Sequence, residues 1–142
     1  MSEPTGKPVL VRNVMKRKFD MIDGMTTVHE ALVTMKHRDN KSLIVQKRHE
    51  HDEYGIVLIS DIAREVLAKD RAPERVNVYE VMAKPVISID PDMDIKYAAR
   101  LFTRYHLSRA PVVENGEVIG IVSLTDMVLK GMTEPDTEES TR

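Results

Sequence analysis

The chain of 142 residues contains no cysteine, which removes disulfides, thiolate nucleophiles and cysteine-based zinc sites together. It also has no long apolar run. The N-terminus, MSEPTGKPVL, carries no stretch suited to a signal peptide, and no window approaches the roughly eighteen apolar residues of a membrane span. Charge of one sign is missing too: 21 Lys and Arg face 23 Asp and Glu, a net charge of -2 that creates no field to draw nucleic acid or an anionic membrane. No glycine-rich loop precedes Lys-Ser or Lys-Thr, and there is neither a nucleophile elbow nor a metal-binding helix signature. No catalytic residue is assigned. These absences lead us to expect a cytoplasmic protein that is not an enzyme and engages neither nucleic acid nor membrane.

What is present is a duplication. GIVSLTDM at Gly120–Met127 repeats GIVLISDI at Gly55–Ile62, and Val14-Met15 matches Val81-Met82 at an offset of 67. The same offset carries Val28, Ala31, Leu32 and Met35 onto Ile95, Ala98, Ala99 and Phe102. Both sets are spaced i, i+3, i+4, i+7 and predict the apolar stripe of an amphipathic helix. Thr27 and Glu30 fit a capping box for the first helix, and Pro91 and Asp92 fit the start of its partner. The offset falls to 65 at Gly55 and Gly120, so the first half carries two extra residues between Val45 and Gly55. A hairpin loop varies in this way.

Each half reads as a lead-in turn, a strand, a helix, a two-stranded hairpin and a second helix starting at the repeated motif. The predicted strands are Phe19–Ile22, Leu43–Gln46 and Tyr54–Ile59 in half one. In half two they are Val86–Ile89, Ala110–Glu114 and Val118–Ser123, with Glu114-Asn115-Gly116-Glu117 as a turn. The expected organisation is a loose N-terminus at 1–9, a first repeat at 10–69, a linker at 70–77, a second repeat at 78–131 and a loose acidic tail at 132–142. A half of about 65 residues buries too little apolar surface to be comfortable alone, so the two are expected to pack about a pseudo-twofold axis.

Val11-Arg-Asn-Val-Met15, Val78-Tyr-Glu-Val-Met82, Ser108-Arg-Ala-Pro-Val-Val113 and the two glycine-to-aspartate motifs, in this order and spacing, resemble a tandem pair of CBS domains, the regulatory Bateman module. GIVSLTD is similar to the final repeat of the gamma subunit of AMP-activated protein kinase. The resemblance covers about residues 10–131. It implies an α+β (mixed α/β) fold of two β-α-β-β-α repeats. It also implies a non-catalytic regulatory module that senses AMP, ADP, ATP or S-adenosylmethionine in clefts between the repeats and signals by a change of shape. No catalytic cofactor is implied; the adenosine compound is a regulatory ligand.

The motif itself suits such a ligand. Thr125 and Asp126 fall in the first turn of a helix, where free backbone N–H groups and the dipole favour a phosphate. The Asp126 carboxylate offers two acceptors to the vicinal hydroxyls of a ribose. Ser123 can donate to a phosphate or sugar oxygen, although Asp126 could also serve as a plain helix cap. By the resemblance, the main cleft adds Ile121, with Ser108 or Arg109 at its phosphate end. Thr26, Ala31, Asn40 and Lys41 close it from half one, the small Ala31 leaving room for a base. The second cleft has Ile56, Leu58, Ser60 and Asp61. Leu58 stands where Ser123 does, so this cleft either takes a nucleoside through Asp61 or is filled by Leu58.

Two other readings are weighed. One is a structural oligomerisation module with empty clefts. The other is a metal sensor built on His49 and His51, although His49-Glu-His51-Asp-Glu53 lies in the long hairpin and lacks a third firm ligand. The basic clusters at Met15–Lys18 and Gln46–His49 read as solvated faces, with a polyphosphate or an acidic partner as the alternative contact. A homodimer is expected, because the second helices carry Ile62, Ala63, Val66 and Leu67 in half one and Met127, Val128 and Met132 in half two, more apolar than a solvated helix requires. Any regulated target would be a separate protein.

Overall fold

A computed structural model of the chain describes residues 7–84 and 86–133. Most of the segments expected to be loose, 1–6 and 134–142, lie outside the described residues. Val9 is described: it packs against a core, and its carbonyl accepts the Ile95 N–H at 2.9 Å. The fold is mixed α/β and divides into two compact units, one of Lys18–Ile87 and the other joining the chain up to Arg17 with the chain from Ser88 onward.

In the unit of Lys18–Ile87, strand β1 (Met21–Ile22) runs parallel to β2 (Ser42–Val45), which pairs antiparallel with β3 (Gly55–Leu58). Helix α2 (Val28–Thr34) starts where the capping box predicts, the Thr27 hydroxyl accepting the Glu30 N–H at 3.1 Å. Its stripe of Val28, Ala31 and Met35 packs on Leu43, Val45 and Val57. After β3 comes α3 (Ile59–Ile62), which passes into a π-helical turn over Ala63–Leu67. Each large apolar side chain taken from water here contributes about 1.5–3 kcal/mol.

The other unit holds α1 (Val11–Val14), α4 (Ile95–Tyr105), β4 (Arg109–Glu114), β5 (Glu117–Ser123) and α5 (Leu124–Gly131). Its core is Val11, Val14 and Met15 with Ile89, Ala98, Phe102, Val112, Val122 and Met127. Helix α4 begins later than Pro91-Asp92 suggests: Asp94 is the cap, its carboxylate accepting the Lys96 N–H at 2.8 Å. Asp92 instead sits in the preceding turn, held by the Asp90 carboxylate at 2.8 Å.

The strand expected at Val86–Ile89 does not form; only Ile89 bridges in parallel to Val112. The duplication supplies the reason. In half one, β1 is held by the Ile44 N–H on the Asp20 carbonyl at 2.9 Å and the Gln46 N–H on the Ile22 carbonyl at 2.8 Å. The second bond has its counterpart, Val113 N–H on Ile89 at 3.0 Å. The first has none, because Ile44 corresponds to Pro111, which carries no N–H.

The compact units are not the halves of the duplication, for each core contains the lead-in segment of the opposite half. Val11, Val14 and Met15 lie in the core that carries half two, while Val76, Val78 and Val81 lie in the core of half one. The exchange is repeated bond for bond. Lys16 and Ile121 trade backbone hydrogen bonds at 2.8 and 2.9 Å, and their counterparts Ala83 and Ile56 do so at 2.8 and 3.0 Å. Leu10 bridges Asp94 as Asn77 bridges Thr27. This crossing requires the motif glycines. A Cβ on Gly120 would stand 2.7 Å from the Lys16 carbonyl oxygen and 2.8 Å from the Met15 sulfur. On Gly55 it would stand 3.0 Å from the Met82 sulfur and 3.2 Å from the Ala83 carbonyl oxygen. The segment expected as a linker at 70–77 ends on the buried Val76, whose carbonyl accepts the Val28 N–H at 2.8 Å.

Candidate functional site

Both repeated motifs run from the end of the second strand of a hairpin into a helix. In the unit with α5, Ser123 is the last residue of β5, pairs across the hairpin with Arg109 and keeps extended dihedrals. Its hydroxyl accepts the Asp126 N–H at 3.1 Å, which caps α5 and leaves the hydroxyl proton to donate elsewhere. The Leu124 N–H donates to the Ser108 carbonyl at 3.1 Å, tying that residue to the same corner. The Asp126 side chain is only 13% exposed, and the Lys130 ammonium lies 3.9 Å from it. Arg109 is half-buried. Burial pushes its guanidinium below the ordinary arginine range, and the negative charge of Asp126 works in the opposite sense.

Ser108, Arg109, Ser123, Thr125 and Asp126 are thus gathered at one end of the β4–β5 hairpin. Ile121 is buried and, two residues before Ser123, faces the same side of the strand, opposite the core-facing Val122. The corner offers two carboxylate acceptors, a hydroxyl donor, a guanidinium and the first turn of an eight-residue helix.

The corresponding corner of the other unit is built differently. Leu58 takes the Ser123 position, is half-buried, and caps α3 without a side-chain bond. Asp61 turns back to accept the Leu58 N–H at 3.3 Å, and its other oxygen is held by the Arg64 guanidinium. Ser60 is exposed and Ile56 buried. The Ile59 N–H donates to the Lys41 carbonyl at 3.0 Å, as Leu124 does to Ser108. Lys41 is exposed in the left-handed region, with φ 57°. The partner of Leu58 across the hairpin is Ser42, whose hydroxyl donates to the Asn40 carbonyl at 3.2 Å. This corner therefore lacks the counterparts of both Ser123 and Arg109.

The remaining expected residues also belong to the unit of Lys18–Ile87. Asn40 is buried and its side-chain amide donates to the Lys18 carbonyl at 2.9 Å. Thr26 is half-buried, its carbonyl accepting the Val78 N–H at 2.8 Å. Ala31 has no exposed surface and belongs to the apolar core, so its methyl serves packing. Arg64 was missed at the sequence level although Asp61 and Arg64 stand at the i, i+3 spacing of a helical ion pair; the counterpart of Arg64 is Leu129.

His49 and His51 lie in the exposed loop between β2 and β3, the His51 N–H donating to His49 Nδ1 at 3.2 Å. Among the described residues no group of three His, Asp or Glu side chains is arranged to hold a metal ion. No helix among them is long and apolar enough to cross a membrane.

The family model for the CBS domain matches residues 11–68 and again 78–131. The chain belongs to the CBS-domain family. An uncharacterised protein of Methanopyrus kandleri is 31% identical over 86% of this chain and 62% of its own length. The chain spans just under two thirds of the length of the first curated relatives it matches. Among solved structures, a hexameric CBS-CP12 protein from bloom-forming cyanobacteria is 34% identical, with a TM-score of 0.83 over 97% of this chain and 79% of that one. A CBS domain pair in complex with 5'-methylthioadenosine and S-adenosyl-L-methionine has a TM-score of 0.74 at 24% identity, over 90% of this chain and 100% of that one. That likeness carries the CBS fold alone.

Proposed function

We propose that this CBS pair is a non-catalytic regulatory module that binds an adenosine-containing ligand at the Ser123–Asp126 corner. The observation that carries the reading is the mostly buried Asp126 carboxylate beside a capping hydroxyl that still has a proton to give. A ribose diol bonded to the two carboxylate oxygens would supply charge-assisted hydrogen bonds, each worth about 1.5–3 kcal/mol. Ser123, Thr125, Arg109 and the first turn of α5 suit a 5'-phosphate or another anionic or polar 5'-substituent. The adenosyl ligands of the related CBS pair are compatible with this chemistry.

The Asp61 corner is proposed to be degenerate, because Arg64 already neutralises its carboxylate and Leu58 cannot donate. The test is calorimetric titration with AMP, ADP, ATP, S-adenosylmethionine and 5'-methylthioadenosine. Asp126→Asn should weaken binding at least about tenfold, and Asp61→Asn should change it little. Equal losses would show that the two corners have not diverged.

A homodimer is the second part of the proposal. Val128, Leu129 and Met132 of the α5 segment are exposed, as is Leu67 at the end of the π-helical turn, whereas Ile62, Val66 and Met127 turn inward to the cores. The hexameric CBS-CP12 relative is compatible with association through such residues. Light scattering at micromolar concentration tests it, and a monomer would reject it.

A further inference from the structure

Helix α4 carries a second candidate surface, unrelated to the adenosine corner. Its sequence, IKYAARLFTRY, holds Lys96, Arg100 and Arg104 at i, i+4 and i+8, and contains no acidic residue. All three are exposed, one helical face apart by about 6 Å of rise each. Tyr97, also exposed, lies beside them with the Lys96 ammonium 5.1 Å and the Arg100 guanidinium 5.4 Å from its ring centroid. Among the described residues no carboxylate lies within ion-pair distance of these cations; the acid at the start of the helix, Asp94, is its cap, and Asp92 is bound by Arg12.

The fold gains little from this arrangement beyond Arg104, which suits the dipole in the last turn of the helix. Like charges four residues apart oppose a helix, and Lys96 sits in the first turn, where the dipole disfavours a cation. The duplicated helix shows that the architecture does not need it. At the offset of 67, Lys96, Arg100 and Arg104 correspond to His29, Val33 and His37, and the first turn of α2 carries Glu30 instead. The stripe is thus specific to one repeat, and its like charges and first-turn cation work against the helix that bears it.

We propose that the Lys96-Arg100-Arg104 face of α4, with Tyr97 at its edge, is a docking surface for an acidic helical segment of a partner protein. Glutamates or aspartates at i, i+4 and i+8 on the incoming helix repeat at the same interval as the three cations. Tyr97 adds an apolar edge against which an aliphatic side chain of the partner packs. A polynucleotide fits less well, because both cations are drawn to the Tyr97 ring face that a base would need, and the chain as a whole carries a net charge of -2.

The test uses a labelled synthetic helix with glutamates at i, i+4 and i+8, and an isomer with the same composition but scattered glutamates, followed by fluorescence anisotropy on the full chain. Preferential binding of the patterned helix, weakened about tenfold or more by Lys96→Glu/Arg100→Glu/Arg104→Glu and by raising salt to about 0.5 M, supports the proposal. A control of equal charge change, Lys7→Glu/Lys36→Glu/Lys47→Glu, should leave most of the binding intact, and circular dichroism verifies that both variants fold. Equal binding of the two peptides, equal loss in the control, or tighter binding of a single-stranded oligonucleotide overturns it. So does binding seen only after the chain is cut behind Thr133, which would assign the face to the chain's own Glu134, Asp136, Glu138 and Glu139.

Discussion

Replacing Gly120 by alanine tests the strand crossing that organises the fold. The new methyl would stand 2.7 Å from the Lys16 carbonyl oxygen and 2.8 Å from the Met15 sulfur, closer than folded proteins tolerate. The sulfur ends a flexible side chain and can move, but the carbonyl belongs to a backbone pinned by reciprocal hydrogen bonds to Ile121 at 2.8 and 2.9 Å. Overpacking of this kind costs about 1–3 kcal/mol, and losing the two bonds would add about 1 kcal/mol each. The expected loss of about 3–5 kcal/mol is a large part of the 5–15 kcal/mol that holds a typical domain together. Gly55→Ala meets the Met82 sulfur at 3.0 Å and the Ala83 oxygen at 3.2 Å, so shifts of a few tenths of an ångström relieve it at a cost of about 1 kcal/mol. At Gly24 an added Cβ has its nearest neighbours at 3.4 and 3.5 Å, ordinary contact, and alanine should be neutral or stabilise by up to about 1 kcal/mol. Urea unfolding followed by circular dichroism should rank Gly24→Ala above Gly55→Ala above Gly120→Ala. Amide exchange should show faster opening at Lys16 and Ile121 in the last variant. If Gly120→Ala were as stable as Gly24→Ala, the close crossing would not exist.

Three further outcomes follow from the same geometry. Ser123→Ala removes the cap on the Asp126 N–H and should cost about 1 kcal/mol in thermal unfolding, with Ser123→Thr recovering most of it. Leu58→Ser should change stability by no more than about 1 kcal/mol in either direction, because the half-buried leucine gives up some apolar burial while the serine supplies the cap that α3 lacks; a loss near 4 kcal/mol would mean that Leu58 is a core residue. The Lys84 ammonium, 2.7 Å away, holds the Asp52 carboxyl well below the usual carboxylate range, with backbone donors at Arg48 and Glu53 assisting. Its contribution is therefore present above the unfolded pKa of about 4 and is lost as pH falls toward the folded value. Lys84→Met should consequently lose less stability than wild type between pH 4 and the acid limit of folding.

Much of this architecture is legible in the sequence because duplication doubles each signal. The helix stripes, the Thr27 cap and the strand-to-helix corners at Asp61 and Asp126 all stand where periodicity and turn chemistry place them. The failures have local causes. Pro111 cannot donate the bond that Ile44 donates, so the strand at Val86–Ile89 shrinks to a single bridge. Two acids near the start of α4 compete for the cap, and Asp94 rather than Asp92 holds it. The exchange of lead-in segments is invisible to periodicity, which measures neighbours along the chain; its trace was the recurrence of Val-Met beside a motif glycine. At the candidate site, the Leu58 replacement is plain in the sequence. The larger difference, Arg64 drawing the Asp61 carboxylate into an ion pair, needed the helix geometry to be seen.

Calorimetric titration of the wild-type chain and Asp126→Asn with the adenosine series tests the central claim most directly. The account predicts saturable binding of one ligand per chain by wild type, and at least about tenfold weaker binding by the variant with its fold intact. No binding of any of the five compounds, or wild-type affinity in Asp126→Asn, would contradict it.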